Sequence, residues 1–173
     1  MTIKVATFLD VADGVQPGQF TIGSHSEVDS LNGLDPLYRQ LLDRPVTAVV
    51  AVTGSDGRAN QTPVWFDYQN SSVLLNLATH RKKVEWLRRN PQLSFILVNP
   101  ENPYHWLSLK CTVGREVLED DPTEGKRVTE QLDRIWTKYT GNPPPYGLRD
   151  PSINERRVLF ECPVERVALF GKP

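Results

Sequence analysis

The sequence predicts a mainly β protein of the α+β class, an antiparallel barrel with a few helices packed at its ends. Short apolar runs are separated by turn-forming clusters such as Ser55-Asp56-Gly57-Arg58 and Asn70-Ser71-Ser72, the pattern of hairpin-linked strands. Helical periodicity is confined to a few stretches. The 14 prolines in 173 residues exceed the usual share of about 5%, which fits many loops between short elements.

Each element follows in order. Thr2 to Leu9 alternates loosely and reads as a strand, after which Gly14, Pro17, Gly18, Gly23 and Gly33 mark a loop-rich arm. Residues 1–33 are therefore set apart as an arm whose structure the sequence leaves open. A helix is predicted from about Asp35 to Arg44: Asp35 caps it, Pro36 suits the first position, and Leu34, Leu37, Tyr38, Leu41 and Leu42 form its apolar stripe. Val46 to Thr53, Thr62 to Tyr68 and Val73 to Ala78 read as three consecutive strands. A short basic helix follows from about His80 to Arg89 and stops before Pro91. Leu93 to Val98 is another strand, Asn99 to Pro103 a turn, and Tyr104 to Glu119 a bent strand. A second strong helix opens at Asp121-Pro122, carries Val128, Leu132, Ile135, Trp136 and Tyr139, and ends before Gly141. Pro143-Pro144-Pro145 excludes regular structure, and Arg157–Glu161 and Glu165–Phe170 read as two closing strands around Pro163.

Composition narrows the function classes. A mass of 19.6 kDa fits one domain or one protomer, with no linker dividing it. Lys plus Arg number 20 against 21 for Asp plus Glu, a balance that argues against general nucleic-acid binding. No apolar run approaches the roughly 20 residues of a membrane span, and no secretory leader pattern is present. Two cysteines, Cys111 and Cys162, cannot staple a fold of this size; both alternate with apolar positions and read as inert core thiols. The expected compartment is the cytoplasm. His25, His80 and His105 are too scattered for a metal-ligand pattern, so no metal site is expected.

The densest chemical signal is Thr79-His80-Arg81-Lys82-Lys83, at the step from a strand into a helix. N–H groups at a helix start carry about half a positive charge. Cations there are mildly unfavourable, so the placement asks for an anion such as a phosphate. A solvated basic helix face, continued by Arg88 and Arg89, is the opposing reading, and local physics leaves the two open. Pro63-Val64-Trp65-Phe66 and Tyr104-His105-Trp106 are likewise open between plain aromatic packing and contact with a flat ligand.

The run Thr62-Pro63-Val64-Trp65-Phe66, then Leu75 to Lys83, then Leu87-Arg88-Arg89-Asn90-Pro91 resembles the pyridoxamine 5′-phosphate oxidase-like superfamily of flavin-binding proteins. The Trp after Pro-Val, and the spacing of Arg81, Lys83 and Leu87, most resemble its branch that uses the deazaflavin coenzyme F420. Glu155-Arg156-Arg157-Val158-Leu159, with Pro163 and Val167, resembles that branch's closing strands. The resemblance spans Val46 to Phe170. It implies an antiparallel split β-barrel of the FMN-binding type for residues 34–173, and an obligate homodimer with cofactor sites at the protomer interface. By position it implies that Lys83 and Arg81 hold the cofactor phosphate, with Lys82 in the place FMN enzymes use. Thr62, Pro63, Val64 and Trp65 match the strand beneath the ring system, Asn76 and Leu77 its neighbour, and Trp106 a contact from the opposite protomer. Cys111 stands where the superfamily commonly has glycine, and His80 replaces a small hydroxyl residue.

The implied activity is an oxidoreductase passing a hydride from reduced F420 to an unsaturated small molecule. An FMN-dependent enzyme of the same fold is the alternative, as is a cofactor- or tetrapyrrole-binding protein without turnover. No catalytic residue is assigned; Tyr104, His105 and Tyr146 are candidate proton donors.

Overall fold

In a computed structural model that describes residues 2–9 and 22–173, the chain opens with β1 (Ile3–Phe8), β2 (Ile22–Val28) and a 3₁₀ turn at Leu31–Gly33. The glycines and proline at 14, 17 and 18 lie outside the described residues. Then come α1 (Pro36–Asp43), β3 (Ala48–Thr53), β4 (Ala59–Val64), β5 (Asp67–Gln69), β6 (Ser72–Ala78) and α2 (Lys82–Arg89). The remainder is β7 (Gln92–Val98), β8 (Trp106–Thr112), β9 (Arg115–Leu118), α3 (Gly125–Thr140) and β10 (Arg157–Phe170).

The fold is an antiparallel-dominated split barrel hinged on β10. One run of neighbours goes β2-β1-β10-β8-β7-β3-β4, and among the described residues only the β1–β10 pairing is parallel. The first half of β10 instead lies between β6 and β9, with β5 beyond β6. The two closing strands expected from the sequence are thus one 14-residue strand. Pro163 fits inside it because it sits where β10 leaves β6 and joins β8: the next amide, Val164, turns to the Ser71 carbonyl at 2.8 Å. A residue without an N–H removes least from a ladder at such a crossing.

Two other expected strands are broken. Thr62 to Tyr68 divides into β4 and β5, which belong to different halves. Phe66 turns into the main core, 6.4 Å from the Phe95 ring. Its amide donates to the Tyr139 hydroxyl at 3.4 Å rather than to a strand. Tyr104 to Glu119 divides at Val113-Gly114 into β8 and β9. There the Gly114 amide bonds Glu161, and a side chain on Gly114 would press on the Pro163 ring.

The helices follow their local signals. Asp35 Oδ1 accepts the Leu37 amide at 2.8 Å, and Tyr38, Leu41 and Leu42 are buried. At Asp121 the carboxylate accepts the Thr123 and Glu124 amides, organising a turn that delays α3 to Gly125. Gly141 closes α3 at φ 72°, the left-handed geometry glycine adopts freely. The main core fills the space between sheet and α1, while Leu74, Val117, Val128 and Leu159 form a smaller core beneath α3.

Candidate functional site

β6 delivers the chain into α2 through a tight turn, in which the Arg81 amide bonds the Ala78 carbonyl at 3.0 Å. Arg81 is the N-cap residue, and no side chain caps the helix. Lys83, in the first turn, directs its Nζ onto Thr62 Oγ1 of β4. Burial, and then the nearby Arg81 guanidinium, hold the Lys83 ammonium below the ordinary lysine pKa. Arg81 and Lys82 are exposed. Among the described residues none of these three cations pairs with a carboxylate, whereas Arg88 forms a two-pronged pair with Glu116. The structure therefore brings together Thr62, Arg81 and Lys83 as an uncompensated positive corner. Lys82 sits beside it.

A second feature lies at the far end of β4. Pro63, Val64 and Trp65, together with Asn76 of β6 and Leu132 and Ile135 of α3, line a cavity of about 300 Å³. Thr47, Tyr146, Leu148 and Arg157 complete its wall. Trp65 is held by a stacked Tyr139 ring at 5.0 Å and by Trp136 at 6.5 Å. Asn76, 7% exposed, gives both amide hydrogens to α3: Nδ2 donates to the Val128 carbonyl and to Gln131 Oε1, each at 3.0 Å. Because Val128 offers only an acceptor, the amide's orientation is fixed. Asn76 Oδ1 and Gln131 Nε2 are left buried without partners. The adjacent Leu77 faces the main core instead, on the opposite side of β6.

Arg157 is the charged group of the cavity. Its guanidinium lies over the Tyr146 ring at 5.0 Å and donates from Nη2 to the Tyr146 hydroxyl at 3.3 Å. Its Nε lies 2.6 Å from Glu155 Oε1, an ion pair without good hydrogen-bond alignment. Behind it, Arg149 pairs with Glu119, whose carboxyl is held below the usual range by Arg149 and the Arg157 amide against the opposing effect of burial. Gln131 and Arg157 were not among the predicted site residues. Gln131 does interrupt an apolar stripe between Val128 and Leu132, a signal that was there to be read.

A match to the pyridoxamine 5′-phosphate oxidase family model extends over residues 34–171. The chain belongs to this family. No curated protein sequence matches it significantly. Other split barrels of this kind are similar in structure. An F420 reductase aligns with a TM-score of 0.61 and 22% identity, over 78% of this chain and 98% of its own. The conserved hypothetical protein Rv2991 of Mycobacterium tuberculosis gives 0.55 and 20%, over 76% and 80%. HutZ, a haem storage protein of Vibrio cholerae, gives 0.54 and 13%, over 78% and 92%. At these identities the likeness is one of fold.

Within this oxidase-family barrel, Trp106 stands three strands from β4, stacked on Phe170 at 5.5 Å and near Phe8 at 6.5 Å. It belongs to a cross-strand row, Val98-Trp106-Phe170-Phe8, beside a second row through Val49, Ile96, Ser108, Ala168 and Ala6. Ile96 and Val98 are exposed at 37% and 38%, so the outer face of the sheet is apolar at this end, giving way to Ser94, Lys110 and Arg166 at the other. Of the three candidate proton donors, only Tyr146 reaches the cavity. Tyr104 is exposed on a loop and His105 is fully buried against Tyr38.

Proposed function

We propose that the protein is an oxidoreductase that uses reduced coenzyme F420 to deliver a hydride to an unsaturated small molecule, with sites shared across a homodimer. The observation that carries this reading is the corner of Lys83, Arg81 and Thr62, a cluster of donors and positive charge without a carboxylate. A phosphate supplies the missing acceptors, and charge-assisted bonds to it are the strong kind. Arg81 is the position that the resemblance matches to the deazaflavin branch, and this supports F420 over FMN. The F420 reductase among the similar structures supports the same choice.

Bound F420 would supply the hydride chemistry. The chain's own residues bind and orient it. Thr62 positions Lys83; residues Thr62 to Trp65, on β4 and just past its end, would hold the flat ring along an edge left open because β4 ends its sheet. Asn76 borders the far end of that edge, and Leu77 contributes backbone. Trp106 and its apolar row fit burial against a second copy, which brings them toward the partner's β4.

Side-by-side titration with oxidised F420 and FMN tests the reading. F420 is expected to bind the tighter, and Arg81→Ala is expected to weaken F420 more than FMN. Tight binding of FMN alone, sensitive to Lys82→Ala, would transfer the activity to FMN. Binding of neither overturns both.

A further inference from the structure

We propose that the outer face of the sheet carries a second ligand site, a groove across β2, β1, β10 and β8 that takes a flat aromatic carboxylate, with its ring on Ala6 and Ala168 and its charge on Arg166 and Lys110. The groove lies on the far side of β7 and β3 from β4 and Thr62, and it does not depend on the cofactor reading.

Strand register builds the groove. On the outer face Lys4 stands beside Arg166, and Arg166 beside Lys110, in one row across β1, β10 and β8. The next row along the strands is Ala6, Ala168 and Ser108, closed at its β2 end by His25. Beyond it come Phe8, Phe170 and Trp106, whose rings lie against one another. Long cationic side chains and aromatic rings therefore rise on either side of the smallest side chains on the face. The hollow between them has a volume of about 700 Å³, with Lys4, Ala6, Phe8, Lys110, Arg166 and Ala168 in its lining. Lys4 and Phe8 share β1 and stand about 13 Å apart at the usual rise of a strand. Once the flanking side chains take their share, a slot about one ring wide remains. A flat ring fits it, lying on Ala6 and Ala168 with its edge toward Phe8.

Charge selects the head group. Like charges directly opposite on neighbouring strands repel, yet three cations stand so in this row. Among the described residues none of the three forms an ion pair or a side-chain hydrogen bond. Two carboxylates lie near. Glu27 is opposite Lys4 at the β2 edge, and Glu165 accepts the Thr112 hydroxyl. Arg166 is the centre of the row, with a cation on each side, and there an anion relieves the most repulsion. Its planar fork matches a carboxylate, Lys110 adds a second charge, and the Ser108 hydroxyl lies in the adjoining row as a neutral donor. A neutral ring of the same shape would fill the slot and leave the repulsion standing.

The probes 2-naphthoate and 2-naphthamide test this, because they share a ring and a shape and differ in charge. Each is titrated calorimetrically into the full chain at low and at high salt. At low salt the parent is expected to bind 2-naphthoate at least about fivefold more tightly than 2-naphthamide, and the gap should narrow as salt rises. Arg166→Gln and Lys110→Gln change exposed positions; each should weaken 2-naphthoate and leave 2-naphthamide unchanged. Ala168→Leu, checked for folding by its melt, raises the floor and should weaken both probes. Lys83→Ala should alter neither; loss of 2-naphthoate binding in that variant would put the anion at the corner beside α2 and overturn the proposal. Equal affinity for the two probes at low salt, or binding of neither, overturns it whatever the variants do. A preference for 2-naphthoate that survives both Arg166→Gln and Lys110→Gln overturns it as well.

Discussion

Lys83 is where a single side chain decides most. A charge-assisted hydrogen bond contributes about 1.5–3 kcal/mol, so Lys83→Ala is expected to weaken cofactor binding by about ten- to hundredfold, more so at low salt. Absorbance titration at two salt concentrations checks it, and Arg88→Ala is the control because Glu116 already occupies that guanidinium. His105 gives a prediction in pH. Its Nδ1 lies 3.1 Å from the Asn99 amide nitrogen, a donor, so the neutral ring carries its proton on Nε2. Burial lowers its pKa below 6.5, partly opposed by the nearby Leu37 backbone. The unfolded chain then takes up the proton first as pH falls. The His105 contribution is therefore constant above about pH 6.5 and declines below it, by at most about 1.4 kcal/mol per pH unit. Urea melts at pH 5 and 7.5 should show a shallower pH dependence in His105→Gln than in the parent. The basic corner was legible in the sequence because the cations sit together in one short run. Gln131 and Arg157 were not, because their partners arrive from β6 and from the loop before β10.

At the scale of elements, the helices were written locally and the strand breaks were not. Asp35, Pro36 and Gly141 act within a turn of their own positions, so α1 and the end of α3 follow from them. The breaks at Trp65-Phe66 and Val113-Gly114 interrupt runs that still look like strands. At the first the distant Tyr139 hydroxyl takes the Phe66 amide in place of a strand, and at the second the chain passes from β8 to β9 along β10, with the Val113 amide on Pro91 and the Gly114 amide on Glu161 of β10. Gly171 closes β10 in a comparable way. It sits at φ 73°, a Cβ there would collide with the Tyr104 carbonyl, and its own carbonyl accepts the Tyr38 hydroxyl at 2.8 Å. Gly171→Ala is expected to cost about 3 kcal/mol, from backbone strain and displacement of the Tyr104 loop together. Equilibrium denaturation should show this as a lower midpoint with little change in slope.

The whole molecule is predicted to be a homodimer of about twice 19.6 kDa, with an interface above roughly 2,000 Å² as obligate dimers have. Ile96 and Val98 lie in the apolar rows of the outer face, so Ile96→Glu should yield a monomer by light scattering and reduce cofactor affinity with it. A dimer that survives this substitution would place the partner elsewhere. β10 has a consequence of another kind, for the order in which the molecule can be made. It pairs with β1, β6, β8 and β9, all of which precede it along the chain. During synthesis these four strands leave the ribosome with the edges that face β10 unmatched. The two halves cannot be joined until residues 157–170 emerge, so the nascent chain carries its aggregation hazard until the last strand of the barrel has been made and then loses it in one step.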